Sequence, residues 1–126
     1  MRPKTPAEVA RRTAAGDSFD LCLANFLDQF YAAPDAAALS PPPELLATAL
    51  GELGRVQDAY LAATAEHLAC SQCCSVPAWV VEEDRTLHRP WFASPLGALR
   101  AVLLLESPPA FRSRNLFISE NALTRA

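Results

Sequence analysis

Four side chains sit close enough along the chain to suggest chemistry: His67, Cys70, Cys73 and Cys74. On a helix, a His-x2-Cys spacing sets two ligands one turn apart, and Cys73 or Cys74 could add a third beyond the helix end. A closed zinc site needs four ligands, usually as two spaced pairs. No second pair exists here, and Cys22 or His88 would have to arrive from elsewhere. Cys–His nucleophilic catalysis fares no better, because it needs two side chains converging within hydrogen-bond reach and a third group to orient them. His67 and Cys70 would share one helix face and point the same way. The pattern therefore predicts small buried thiols and a helix-end histidine, with no metal, no cofactor and no catalytic residue. Asp58 and Glu66, eight positions apart on the same predicted helix, form no acid/base pair. Four glycines leave little material for a phosphate-cradling loop, and Glu82-Glu83-Asp84 reads as a solvated acidic run.

The chemistry that remains is recognition. Phe111-Arg112-Ser113-Arg114-Asn115-Leu116-Phe117-Ile118 places two arginines among large apolar side chains, a composition found at contact surfaces. Trp91, Phe111, Arg112, Arg114, Asn115 and Phe117 are the predicted partner-binding residues. Charge points the same way. Residues 1–84 carry 5 basic and 12 acidic side chains, whereas residues 85–126 carry 6 arginines and 2 acids. A basic C-terminal third suits an acidic protein or a nucleic acid, and arginine suits bidentate pairing with carboxylate or phosphate. Arg112, Arg114 and Arg125, with Phe111 and Phe117, could touch phosphates and stack bases. An isoelectric point near 5.3 and a single lysine, Lys4, argue against it. A nucleic-acid-binding regulator is thus the alternative to a protein-binding module, and a thiol or zinc enzyme the third reading.

Helices must position these residues. At 126 residues the chain reads as one domain, long enough to bury about two-thirds of its unfolded surface. Its hydrophobic half is mostly Ala and Leu, which predicts an all-α bundle of five to seven helices. Thr5-Pro6-Ala7-Glu8 predicts a capped helix start, and Gly16 its end. Asp17 or Ser18 caps the next helix, whose Phe19, Leu23, Phe26, Leu27 and Phe30 make an amphipathic stripe. Residues 33–43, with Pro34 and Pro41-Pro42-Pro43, form a stiff surface connection inside the domain. From Pro43 to about Ala69 an alanine-rich central helix follows, with a break near Gly51 or Gly54. Trp79 then holds a short turn in the core, and Glu82 to Arg85 is exposed. A helix after Pro95 is expected to bury Leu96, Leu99, Val102, Leu103 and Leu105. Ser107 caps a short helix from Pro108, and Leu116-Phe117-Ile118 is extended with no evident partner strand. A last turn covers residues 119–123, and the tail after Pro108 is expected to stay outside the bundle. The longest apolar run, Ala101 to Leu105, is far too short to span a bilayer, and no apolar stretch follows Met1-Arg2-Pro3-Lys4, so a cytoplasmic protein is expected.

One stretch resembles a known group. Trp91-Phe92, Leu99-Arg100, Glu106-Ser107-Pro108-Pro109-Ala110-Phe111-Arg112-Ser113-Arg114-Asn115-Leu116-Phe117-Ile118-Ser119 and Ala122-Leu123-Thr124-Arg125-Ala126 are similar to the ends of small bacterial antitoxin or regulatory proteins. Those proteins are paired with nucleotidyltransferase-type toxins. Asp58-Ala59-Tyr60-Leu61-Ala62 and residues 17–31 share the likeness more loosely. The resemblance implies a protein that neutralises a cognate, adjacently encoded toxin by direct contact. Arg112 and Arg114 would pair with the carboxylates that hold metal ions in the toxin's active site. Trp91, Phe111 and Phe117 would supply apolar anchors. Some members add a helix-turn-helix; this chain shows none, which leaves neutralisation as the implied role.

Overall fold

Helix ends in this protein fall where side chains or turns can satisfy the orphan backbone groups. The computed structural model describes residues 2–94, 97–119 and 122–123. Helix α1 (Pro6–Ala14) has Thr5 as its N-cap, with Oγ1 accepting from the Glu8 amide at 3.1 Å. It closes on Gly16 (φ 113°), where the Asp17 amide donates to the Arg12 carbonyl in a Schellman arrangement. Ser18, rather than Asp17, caps α2 (Phe19–Ala32) by accepting from the Leu21 amide. Leu23, Phe26, Leu27 and Phe30 of the amphipathic stripe are buried, and Phe19 is half-buried. The proline-rich connection is less detached than its composition suggests. Its 3₁₀ turn, Ala36–Leu39, buries Leu39, whose carbonyl accepts from Trp79 Nε1 at 2.9 Å.

Helix α3 (Ala47–Ser71) is the central element. From Gln57 to Ala65 every residue except Tyr60 is buried, because α1, the C-terminal segments and the 3₁₀ turns Ala78–Val81 and Glu83–Arg85 all pack on it. Its break is at Gly51 (φ 63°, ψ −134°), a conformation that glycine adopts without strain. The bend presses the Leu46 backbone onto Gly54, where a Cβ would overlap the Leu46 carbonyl. Leu46 cannot cap the helix it opens, and Asp58 does so from four residues beyond Gly54. The Asp58 carboxylate accepts from the Leu46 amide at 2.6 Å and the Ala47 amide at 3.0 Å.

Arg85 closes this arrangement. Its Nη2 donates to the Pro43 carbonyl at 2.6 Å, and its guanidinium lies 5.0 Å from the centre of the Trp79 ring. Asp58 and Glu82 stand at ion-pair rather than hydrogen-bond distance, 4.0 and 3.6 Å. The charged segment of which it is part is exposed at Glu82, Glu83 and Asp84, but Arg85 itself is 2% exposed, contrary to the sequence expectation. A carbonyl, an aromatic face and two carboxylates together offset the desolvation of the guanidinium. Burial pushes the Asp58 carboxyl above its ordinary value, against the pull of the two amides and of Arg85.

The C-terminal third folds back on this centre. A two-residue strand β1 (Trp91–Phe92) pairs in parallel with β2 (Leu116–Phe117), in the register Trp91 to Leu116. This is the partner that the extended segment lacked in sequence. Between the strands lie α4 (Arg100–Glu106), preceded by the 3₁₀ turn Gly97–Leu99, and α5 (Pro109–Arg112). Ser107 does not cap α5; its Oγ donates to the Leu116 carbonyl at 2.9 Å and accepts from the Ile118 amide. Phe111, Leu116, Phe117, Ile118 and Leu123 are buried, so the tail is part of the core. Pro95, Leu96, Arg125 and part of the expected turn at 119–123 lie outside the described residues. The fold is all-α, with five α-helices among the described residues.

Two substitutions test this account. Asp58→Ala leaves two amides and a buried guanidinium without their carboxylate and should destabilise the fold by about 3–5 kcal/mol in chemical denaturation. At the other end of α3, Cys73 holds the left-handed position (φ 55°) of a Schellman closure, with the Cys74 amide on the Ala69 carbonyl. Cys73→Gly should raise stability by about 1 kcal/mol in the same measurement.

Candidate functional site

The thiol cluster does not converge. Cys70 and Cys73 are exposed and Cys74 is half-buried, where buried thiols were expected, because the closing turn of α3 ends at the surface. Cys22 is buried on α2, and all four cysteines are free. Burial pushes His67 below the ordinary imidazole value. Among the described residues no group of three or more His, Cys, Asp or Glu side chains could hold a metal ion. Asp58 and Glu66 each serve a buried arginine: Asp58 faces Arg85, and Glu66 Oε1 accepts from Arg114 Nη2 at 2.9 Å.

The six predicted partner-binding residues separate sharply. Arg114 is 4% exposed; besides Glu66 it donates to the Ala110 and Val80 carbonyls, both at 2.7 Å. Phe111 is fully buried, edge-on to Tyr60 at 5.0 Å, and Tyr60 in turn meets Phe19 at 6.1 Å. Phe117 is buried and stacks on Phe92 at 5.1 Å. These three residues hold the protomer together and leave the contact set. Asn115 is half-buried at φ 62°, a conformation asparagine tolerates, and its Nδ2 donates to the Leu87 carbonyl at 2.7 Å. Trp91 is half-buried in the wall of a cleft. Arg112 alone of the six is exposed; its Nη2 donates to the Ser107 carbonyl at 3.0 Å, at the C-terminal end of α4. The basic face shrinks accordingly. With Arg85 and Arg114 buried, Arg89, Arg100 and Arg112 are its exposed arginines among the described residues.

What the sequence reading missed is α4. Of the stripe expected to be buried, Leu99, Val102 and Leu105 are exposed, Leu105 at 82%, and Leu103 alone of its described members is buried; the neighbouring Leu104 is exposed as well. Geometry accounts for this. Successive helical residues turn by about 100°, so Leu103, Leu104 and Leu105 cannot all face one neighbour on a surface helix. The helix is fixed at both ends by arginine. Arg100 lies 4.9 Å from the centre of the Phe92 ring, and Arg112 holds the Ser107 carbonyl. An apolar centre with a cation at each end is therefore presented on a supported helix. The unbroken run of apolar residues at 101–105 was the signal available in sequence, since a core-facing helix would interrupt it with polar residues.

No protein-family model, curated protein or solved structure matches the chain. No described helix is long and apolar enough to cross a membrane.

The two arginines should behave oppositely. Arg114→Met strands the Ala110 and Val80 carbonyls and should lower stability by about 1–3 kcal/mol. Arg112→Ala, at an exposed position, should change it by less than about 1 kcal/mol. Thermal unfolding of the two variants side by side measures the difference.

Proposed function

We propose that the protein acts by binding another protein, and that α4 is the element that enters the partner. The observation that carries this reading is the exposure of Val102, Leu104 and Leu105 on one short helix, with Leu99 of the preceding turn beside them. Leu21, Leu50, Leu53, Val76 and Val81 are also exposed, but none of them has three such neighbours within six positions, and apolar area gathered in this way marks a contact surface. Arg100 and Arg112 at its two ends call for a partner whose apolar groove is rimmed by carboxylates. A leucine centre with arginine at the edge matches the anatomy of interfaces in which a few large side chains dominate the binding energy.

The specific form of this function is antitoxin-like neutralisation of a cognate nucleotidyltransferase-type toxin, supported by the C-terminal resemblance and by the match between arginine and an acidic, metal-holding active site. Of the residues first assigned to the contact, Arg112 stays and Trp91 lies aside in its cleft; α4 replaces Phe111, Arg114 and Phe117. The exposed free thiols Cys70 and Cys73 suit a reducing compartment, in keeping with a cytoplasmic protein. Binding rather than catalysis is the role proposed, because the buried carboxylate of Asp58 and the half-buried one of Glu66 are engaged by arginines.

Co-expression with the product of the neighbouring reading frame tests the reading. Leu105→Glu and Arg112→Ala should each abolish or strongly weaken co-purification while leaving the helical circular-dichroism signal intact. A partner retained at full strength by both variants would rule α4 out. Retention of DNA or RNA that weakens steeply with salt would favour the nucleic-acid alternative instead.

A further inference from the structure

A second feature lies apart from α4. Between α2, α3 and the end of the chain opens a cleft of about 640 Å³, of the size that holds small ligands. Leu23, Leu27, Val56 and Ile118 make its apolar lining, with Trp91 in one wall. Among its polar side chains Ser18 and Asp20 are exposed and Gln57 is buried. Gln57 lines it, is 9% exposed, and its Oε1 is buried with no hydrogen-bond partner. A buried acceptor left unpaired is destabilising, and a ligand that brings a donor relieves it. Asp20 adds a carboxylate at an exposed position, and the Tyr60 ring supplies a second aromatic face beside that of Trp91. None of the described lining residues is basic, and Asp20 is the one charged side chain among them.

An apolar body, a hydrogen-bond donor and a positive charge are together what this lining accepts. We infer that the cleft binds a small apolar primary amine in its ammonium form, with the hydrocarbon among the leucines and the ammonium drawn by Asp20, Gln57 and the aromatic faces. Tyr60 can take part only as a neutral phenol. Its burial, and more weakly the charge of Asp20, push its pKa up to about 12, so it keeps its proton. The inference does not depend on α4 or on a protein partner.

The test is a titration of the full-length protein with three ligands of nearly equal size: 2-phenylethylamine, 2-phenylethanol and 3-phenylpropionate. Tryptophan fluorescence and amide NMR shifts report binding. The amine should saturate the Trp91 and Gln57 signals and bind about fivefold more tightly than the alcohol, as expected for one exposed ion pair, with the carboxylate weakest. Asp20→Asn should erase the advantage of the amine over the alcohol, and Gln57→Leu should weaken both. No saturation by the amine at millimolar concentration would overturn the inference. So would a carboxylate that binds as tightly, an Asp20→Asn protein that still prefers the amine, or a Gln57→Leu protein with undiminished affinity. Should Gln57→Leu fail to fold, Asp20→Asn decides alone, because Asp20 is exposed.

Discussion

The carboxylate of Asp58 and the guanidinium of Arg85 meet inside the protein, and most of its architecture depends on their meeting. Asp58 closes the start of the helix on which it sits by accepting from Leu46 and Ala47. Arg85 ties that corner to the proline-rich connection through Pro43 and to the Trp79 turn through its ring. Neither charge would be tolerated there alone, since an isolated buried ion carries a desolvation penalty of several kcal/mol. Each is offset by the other, with two amides on the Asp58 carboxylate and the Pro43 carbonyl on Arg85 Nη2, while Arg85 Nε and Nη1 are buried without a hydrogen-bond partner. The glycines at 51 and 54 make the geometry possible, one by allowing the bend and the other by letting the Leu46 backbone come close.

A second buried arginine repeats the principle about two turns further along α3, at Glu66. Arg114 gathers Ala110, Val80 and Glu66, joining α5, the Trp79 turn and the central helix. With Phe111 packed on Tyr60 and β2 paired to β1, the last third of the chain becomes structural. The part of that third that the core does not enclose is α4. Helix α4 lies between the two paired strands in sequence, braced by Arg100 on Phe92 and by Arg112 on Ser107, with Leu103 buried and Val102, Leu104 and Leu105 exposed.

How much of this could be read beforehand depended on the range of the interaction. The α1 cap at Thr5, the closure at Gly16 and the stripe from Phe19 to Phe30 are set by residues within four positions of one another, and all were legible. The alanine-rich centre and its glycine break were legible for the same reason. The fate of the arginines was not. Arg85 and Arg114 look like surface charges in sequence, and their partners lie far away along the chain, at Pro43, Asp58, Glu66 and Val80. The strand pairing of Trp91–Phe92 with Leu116–Phe117 spans a similar gap and leaves no local mark.

The chain by itself determined that this protein is helical, where its first helices start and stop, and that arginine and large apolar residues would concentrate near its end. Those properties follow from propensity, capping and periodicity, which act between near neighbours. Tertiary structure alone decided which arginines became internal braces and which stayed in solvent, and which leucines were left uncovered. Burial is a property of the whole packed chain: a guanidinium is enclosed where several distant acceptors happen to converge on it, and a leucine remains outside where no neighbouring element is left to cover it.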